Sequence, residues 1–210
     1  IIISLSIFFG IYYLIYSKIL FDYILICYSM FLVGFLDDLK IKIKPFKRLL
    51  MMIILLFVLI YFLPIQILNI DISLLSFISN NHFFSSVFVL LCFLFVINGA
   101  NLIDGFNGLL ALNLLIINII LTYINLNNSN LEFSILLISQ IVILLSFLLF
   151  NFPHAKIFLG DSGAYLMGAL IALNTIITNN LNPNISSFFF CTLLFYIFFE
   201  VFFSFFRKLK

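Results

Sequence analysis

Residues 133–150 read FSILLISQIVILLSFLLF, a largely apolar run without a charged side chain. A helix of that length rises about 27 Å, close to the thickness of a bilayer's hydrocarbon core, so the run predicts a transmembrane helix. The rest of the chain is similar, since 65% of its 210 residues are hydrophobic and only 9% are charged. Soluble proteins carry about 25% charged residues, so this composition excludes a water-soluble fold.

Eight candidate spans follow from the apolar runs and their polar interruptions. They cover residues 3–16, 20–36, 49–64, 83–97, 108–124, 133–150, 163–178 and 187–206. The pattern predicts an all-α fold, a polytopic transmembrane bundle of about eight helices that forms one domain over residues 1–210. A further run, 63–75, is broken by Pro64 and Asp71 and is predicted to lie at the membrane interface.

Basic residues fall almost entirely on one face of this arrangement. Alternating the spans puts connections 37–48, 98–107 and 151–162 on that face, together with the C-terminus. Nine of the ten Lys and Arg residues lie there: Lys40, Lys42, Lys44, Lys47, Arg48, Lys156, Arg207, Lys208 and Lys210. Cytoplasmic loops carry an excess of Lys and Arg, so this face is predicted to be cytoplasmic.

Asp37 and Asp38 stand at the cytoplasmic end of the second predicted span. Two adjacent carboxylates at a membrane boundary repel each other and are costly to insert, so something must compensate them. Neighbouring side chains on a helix point about 100° apart, so one could face a metal ion or phosphate while the other pairs with Lys40 or Lys44. A solvated pair of charges at a helix end is the alternative.

The second connection, residues 98–109, reads NGANLIDGFNGL. Its polar side chains recur every three residues, at Asn98, Asn101, Asp104 and Asn107. On a helical or 3₁₀ path they would share one slowly drifting face, a wall of amide and carboxylate groups. The N-terminus of the next span, near Gly108, offers free N–H groups for phosphate oxygens. A simple Asn/Gly turn would explain only part of this row.

The third connection, residues 151–163, reads NFPHAKIFLGDSG. Lys156 could hold a phosphate as a point charge. Asp161 is a hard oxygen ligand suited to Mg²⁺, which takes one or two carboxylates and leaves its other positions to water and substrate phosphate. The alternative is that Asp161 or Ser162 is only the N-cap of the next span. His154 is interpreted as structural.

These connections resemble the polyprenyl-phosphate N-acetylhexosamine-1-phosphate transferases, glycosyltransferase family 4, which includes phospho-MurNAc-pentapeptide translocase and undecaprenyl-phosphate GlcNAc-1-phosphate transferase. The matching stretches are 34–38 (GFLDD), 98–109 and 155–163 (AKIFLGDSG). The resemblance implies an inner-membrane enzyme with a cytoplasmic active site. It would transfer a sugar 1-phosphate from a UDP-N-acetylhexosamine to polyprenyl (undecaprenyl) phosphate and release UMP, with Mg²⁺ or Mn²⁺. This reaction begins cell-envelope polysaccharide synthesis, and Asn107 with residues 162–165 favours the surface-polysaccharide branch, such as O-antigen of lipopolysaccharide.

The resemblance also implies roles for individual residues. Asp161 corresponds to the metal ligand of the family, and Asn101 to an amide that is a ligand in some members. Asp37 and Asp38 correspond to the acidic pair assigned to the reaction itself, and Asp104 would act beside them at the nucleotide-sugar side. Both reactants are anions, so basic residues would neutralise phosphate charge. The predicted substrate-binding residues are Asn98, Asn107, Lys156, Arg48 and Lys44.

The chain departs from the family at several points. Met52 stands where members usually have a Gln, and an N-terminal span, a His-containing cytoplasmic loop and the last spans are missing. We therefore expect a fragment that is inactive as it stands. Membrane lipid is an expected partner, nucleic acid is not, and a homodimer is one option. The alternative functions are a membrane transporter, or an inactive relative that acts as an assembly partner; Mg²⁺-dependent release of UMP would separate the enzyme from both.

Overall fold

The computed structural model describes residues 1–18, 20–39, 43–63, 65–68, 70 and 81–209. Within those residues the regular structure is helical throughout. The helices are α1 (Ile2–Tyr16), α2 (Phe21–Asp38), α3 (Pro45–Phe62), α4 (His82–Ile103), α5 (Leu109–Asn127), α6 (Leu131–Asn151), α7 (Gly160–Leu181), α8 (Ser187–Leu193) and α9 (Phe195–Leu209). The predicted all-α fold is therefore confirmed for this part of the chain.

Five of the described helices, α3 to α7, are long and apolar enough to cross a membrane. The pair α8 and α9 would make a sixth span, although the two are bent by 59° where the sequence predicted one continuous helix. Helix α1 has only 15 residues. Helix α2 has 18 residues but includes Asp22, Asp37 and Asp38. A multi-pass membrane protein follows, whereas the count of eight spans stays a prediction.

Some predicted features fall outside the described residues. They include most of the interfacial run 63–75 and the basic residues Lys40, Lys42 and Lys210.

On the face predicted to lie opposite the motifs, Lys18 and Glu132 form an ion pair of 2.6 Å between Nζ and Oε2.

Helix α7 is the centre of the bundle and packs against α2, α4 and α5. Nearly every side chain from Ser162 to Thr175 is buried. Small residues make this packing close: a Cβ added at Gly168 would lie 2.8 Å from the Cα of Ile97 on α4. Lipid is as apolar as leucine, so association of membrane helices depends on such close packing rather than on exclusion of water.

A buried amide, Asn174, joins four helices in the middle of the bundle. Its Oδ1 accepts a hydrogen bond of 2.9 Å from the Tyr23 hydroxyl of α2. Its Nδ2 donates to Oδ1 of Asn118 on α5 at 2.9 Å and to Oε1 of Gln140 on α6 at 2.6 Å. This cluster is not evident from the sequence, because its members lie singly in four separate apolar runs.

We expect Asn174→Leu to destabilise the protein through loss of this cluster. Hydrogen bonds between membrane helices contribute about 0.6 kcal/mol each on average, with a maximum near 1.7 kcal/mol, and three partners lose theirs together. The measurement is the midpoint of thermal unfolding in detergent. Asn128→Leu is a suitable control, since within the described chain the Asn128 side chain donates to the carbonyl of Ile124 on the preceding helix, α5, and to no other helix. Equal midpoints for the two variants would contradict the prediction.

Candidate active site

Helices α2, α3 and α7 meet at one end of the bundle through a shared arginine. Arg48, in the first turn of α3, donates from Nη1 to a carboxylate oxygen of Asp37 at the end of α2. The same nitrogen donates to Oδ2 of Asp161, in the first turn of α7, at 3.1 Å. All three side chains are largely buried, so these charges are screened less than surface ion pairs. Asp37 thus pairs with Arg48, where the sequence analysis had suggested Lys40 or Lys44.

Asp38 has a different role from its neighbour, because it caps the N-terminus of α7. Its two carboxylate oxygens accept hydrogen bonds of 3.0 Å from the backbone N–H groups of Asp161 and Ser162. A negative charge at this helix end is favourable. Gly160 permits the approach: its φ is +70°, and a Cβ there would lie 2.9 Å from Oδ2 of Asp38. The alternative of a solvated charge pair therefore does not describe Asp37, which is paired with Arg48, whereas Asp38 is exposed to solvent as well as bonded to α7.

The capping by Asp38 also bears on the alternative interpretation of the third connection, in which Asp161 or Ser162 is only the N-cap of the next span. That interpretation is wrong. The N-cap residue of α7 is Leu159, and its side chain makes no capping bond. Asp161 and Ser162 lie inside the first turn rather than at the cap. The Asp161 carboxylate is therefore free to face Arg48 and the space around it.

The polar row of the second connection divides between two places. Helix α4 ends at Ile103 and Asp104 is its C-cap with a helical backbone, so the predicted single wall is interrupted only after Asp104. Asn98 and Asn101 lie on α4 and line a cavity. Asn107 lies in the following turn and donates to the carbonyl oxygen of Pro153 at 3.2 Å, which ties the second connection to the third.

Asp104 lies between these two places, directly after α4. Burial, together with the negative charges of Asp161 and Asp38, raises its pKa to about 7. Asp104 thus belongs electrostatically to the same cluster as the other aspartates. A carboxyl group that titrates near neutral pH can take up or release a proton during a reaction.

A cavity of about 570 Å³ lies between α3, α4 and α9 beside the arginine. Its polar lining residues are Arg48, Asn98, Asn101 and Ser204. The remaining lining is apolar and comes from Pro45, Phe46, Leu49, Met52, Leu91, Leu94, Phe95, Leu102, Val201 and Phe205. Arg48 therefore lines this largely apolar cavity and also contacts the aspartates. Met52, which replaces the expected Gln, belongs to its apolar wall.

Tyr165 supports the arginine and was not identified from the sequence as a site residue. It lies one turn after Asp161 on α7, so the two share a face of the helix. The guanidinium carbon of Arg48 lies 5.6 Å from the centre of the Tyr165 ring, within reach of a cation–π contact. Its hydroxyl is buried and has no hydrogen-bond partner among the described residues.

The other two basic residues predicted to bind substrate, Lys44 and Lys156, do not belong to this cluster. Lys44 and Lys156 are both exposed to solvent. The backbone around Lys156 is ordered by two bonds: its N–H donates to the carbonyl of Phe150 at 2.9 Å, and Asn151 donates to the carbonyl of Ile157 at 2.7 Å. The two lysines border the site and do not take part in its ion pairs within the described chain.

The residues present fit a magnesium ion. No group of three or more His, Cys, Asp or Glu side chains within metal-binding reach occurs in the described parts of the chain. Mg²⁺ needs only one or two carboxylates, because waters and substrate phosphates complete its octahedron. Asp161 supplies a carboxylate of that kind, and Asp37 lies beside it on the same guanidinium nitrogen.

The sequence matches the family model for glycosyl transferase family 4 over residues 20–179. The chain belongs to this family. Within the family it is 32% identical over 154 residues to the phospho-N-acetylmuramoyl-pentapeptide-transferase of Streptococcus thermophilus strain CNRZ 1066, an alignment of 69% of this chain and 45% of that protein. It is 29% identical over 126 residues to the undecaprenyl-phosphate alpha-N-acetylglucosaminyl 1-phosphate transferase of Thermotoga maritima, covering 59% and 36%.

The family assignment confirms the resemblance found in the sequence. The matched region of this glycosyl transferase family 4 chain contains every predicted site residue, from Asp37 to Asp161. The chain spans about half the length of the curated relatives it matches. Those relatives include transferases of both named kinds, so the surface-polysaccharide branch stays a prediction.

Proposed function

We propose that this protein transfers an N-acetylhexosamine 1-phosphate from a UDP-sugar to polyprenyl (undecaprenyl) phosphate and releases UMP. The observation that carries this proposal is the position of Arg48, which bonds the carboxylates of Asp37 and Asp161 and also lines the apolar cavity. A cluster of this kind suits a reaction between two phosphate-bearing molecules, one of which has a long hydrocarbon tail.

The reaction demands charge neutralisation and positioning more than covalent help from the protein. A phosphate attacks a phosphoanhydride, so two anions must approach each other in line. Mg²⁺, or Mn²⁺ in its place, would be held by Asp161 with Asn101 as a candidate second ligand, and would neutralise the donor diphosphate. Arg48 would bind the acceptor phosphate, and the exposed Lys44 and Lys156 would attract the anionic reactants.

The cavity between α3, α4 and α9 would take the first isoprene units of the acceptor. Its walls are aliphatic and aromatic, and its polar end holds Arg48 and two asparagines. A phosphate at that end lies beside the aspartates while the tail stays among apolar side chains. Asn98 would then contact the acceptor phosphate by hydrogen bonding.

The nucleotide-sugar would occupy the other side of the cluster. Asp104 and Asn107 follow α4 there, and Asn107 is tied to the loop of Lys156 through Pro153. Of the acidic groups that remain, Asp37 or Asp104 can receive a proton from the acceptor phosphate. Asp38 is engaged with the backbone of α7 and would act by holding Asp161 in place.

The setting of the reaction is part of the proposal. The basic residues near the site support a cytoplasmic location at the inner membrane. The reaction would be the first membrane step of a cell-envelope polysaccharide, and Asn107 with residues 162–165 favours the surface-polysaccharide branch. A homodimer is proposed as the assembly.

The test is release of UMP by membranes that contain the complete protein. They are incubated with undecaprenyl phosphate and a panel of UDP-N-acetylhexosamines, with Mg²⁺, with EDTA, and with EDTA followed by excess Mg²⁺. We expect release with at least one donor, loss with EDTA and recovery with Mg²⁺. Absence of release with every donor would contradict the proposal and favour an inactive relative or a transporter.

A further inference from the structure

One guanidinium nitrogen of Arg48 holds both Asp37 and Asp161. The exposed fraction of the three side chains is 22% for Arg48, 25% for Asp37 and 31% for Asp161. Two largely buried carboxylates so close together would repel each other without a cation between them. In the described chain, the positive charge of Arg48 therefore compensates the two carboxylates, as a bound cation would.

A divalent ion on Asp161 and the guanidinium of Arg48 would compete for the same carboxylates. Two cations in contact with one carboxylate oxygen repel each other strongly where solvent screening is weak. Asp38 is a weaker alternative partner for Arg48, because both its oxygens already accept N–H bonds from α7 and share their negative charge with that helix end. Binding of the ion would thus release Arg48 from at least one of its partners.

The surroundings of Arg48 offer a second position for the released side chain. Arg48 already lines the cavity, together with Asn98 and Asn101. The ring of Tyr165 lies beside the guanidinium and can stabilise the cation away from the carboxylates. The buried hydroxyl of Tyr165, without a hydrogen-bond partner in the described chain, can accept a hydrogen bond from a guanidinium N–H.

We infer that Arg48 is an exchangeable counter-cation, which pairs with Asp37 and Asp161 before the divalent ion binds and turns to the acceptor phosphate afterwards. The inference rests on the proposed function and adds a coupling between its two ligands. The ion frees Arg48 for the phosphate, and the phosphate draws Arg48 from the carboxylates. Linkage requires each ligand to raise the affinity of the other by the same factor.

The experiment measures Mn²⁺ affinity by electron paramagnetic resonance on the complete protein in detergent, without a UDP-sugar. For the wild type, undecaprenyl phosphate is expected to tighten Mn²⁺ binding by at least about fivefold, the lower end of ordinary allosteric coupling. Arg48→Gln is expected to tighten Mn²⁺ binding by a similar factor in the absence of lipid. In that variant the lipid should no longer change the affinity for Mn²⁺.

Lys47→Gln is the matched control. It removes the same charge one residue earlier on α3, from an exposed side chain, and should behave as the wild type. Equal Mn²⁺ affinity in Arg48→Gln and Lys47→Gln would overturn the inference and leave the proposed transferase untouched. Failure of the lipid to affect Mn²⁺ in the wild type would also overturn it, and that arm needs no variant to fold. UMP release without any Mn²⁺ or Mg²⁺ dependence would overturn both the inference and the metal assignment.

Discussion

Replacing Asp161 by alanine is expected to abolish release of UMP by the complete protein. Asp161 is the proposed metal ligand and also half of the ion pair that fixes Arg48. Loss of a partner that only orients a metal ligand typically lowers metal affinity or activity by about 10- to 100-fold. Loss of the ligand itself should exceed that range. The measurement is the initial rate of UMP release from UDP-sugar and undecaprenyl phosphate at saturating Mg²⁺.

Asp22→Ala is the matched control for this experiment. Asp22 lies in the first turn of α2, at the opposite end of that helix from Asp37 and Asp38. Its replacement should leave UMP release close to the wild-type rate. Near-normal release by Asp161→Ala, in protein that reaches the membrane in normal amount, would remove Asp161 from the metal site.

Gly34→Val is expected to have the second-largest effect, by separating α2 from α7. A Cβ at position 34 would lie 2.5 Å from the carbonyl oxygen of Asp161 and 2.5 Å from the Cα of Ser162. Both are backbone atoms of α7, so no side-chain rotation relieves the clash. Overpacking of this kind commonly costs about 1–3 kcal/mol. The variant should unfold at a lower temperature in detergent and lose UMP release, because Asp37 and Asp38 move relative to Asp161.

Gly10→Val provides the comparison for this variant. Apart from the backbone and chain neighbours in its own helix, no atom of the described residues lies within 4 Å of a Cβ built at Gly10 on α1. The same substitution there should leave both the unfolding temperature and UMP release nearly unchanged. Similar unfolding temperatures for the Gly34 and Gly10 variants would show that α2 and α7 do not pack as closely as described.

Much of the candidate site could be predicted from local sequence because its residues occur in compact polar segments between apolar runs. Asp37, Asp104 and Asp161 stand out against a chain that is only 9% charged. The expectation that three connections meet at one end of the bundle is confirmed by the contacts of Arg48 and by the hydrogen bond from Asn107 to Pro153. Pairing partners could not be predicted, since several basic residues are equally near in sequence.

Two important residues could not be identified from the sequence, and the physical reason is the same for both. Tyr165 and Asn174 both lie inside α7, and a tyrosine or asparagine within a predicted span does not reveal which neighbours it meets. Their importance depends on which neighbours face them: Arg48 for Tyr165, and Tyr23, Asn118 and Gln140 for Asn174. The spacing of Tyr165, four residues after Asp161, was a weak indication, because residues four apart lie on the same face of a helix.

The sequence by itself determined that this protein lies in a membrane, that its fold is helical and to which family it belongs. Backbone groups in lipid must be satisfied within the chain, so long apolar runs leave little choice but helices. Tertiary structure alone decided that Asp37 pairs with Arg48, that Asp38 caps α7, and that Arg48 borders both the aspartates and the cavity. Those assignments depend on how closely α2, α3 and α7 approach, a property of packing between residues far apart in the chain.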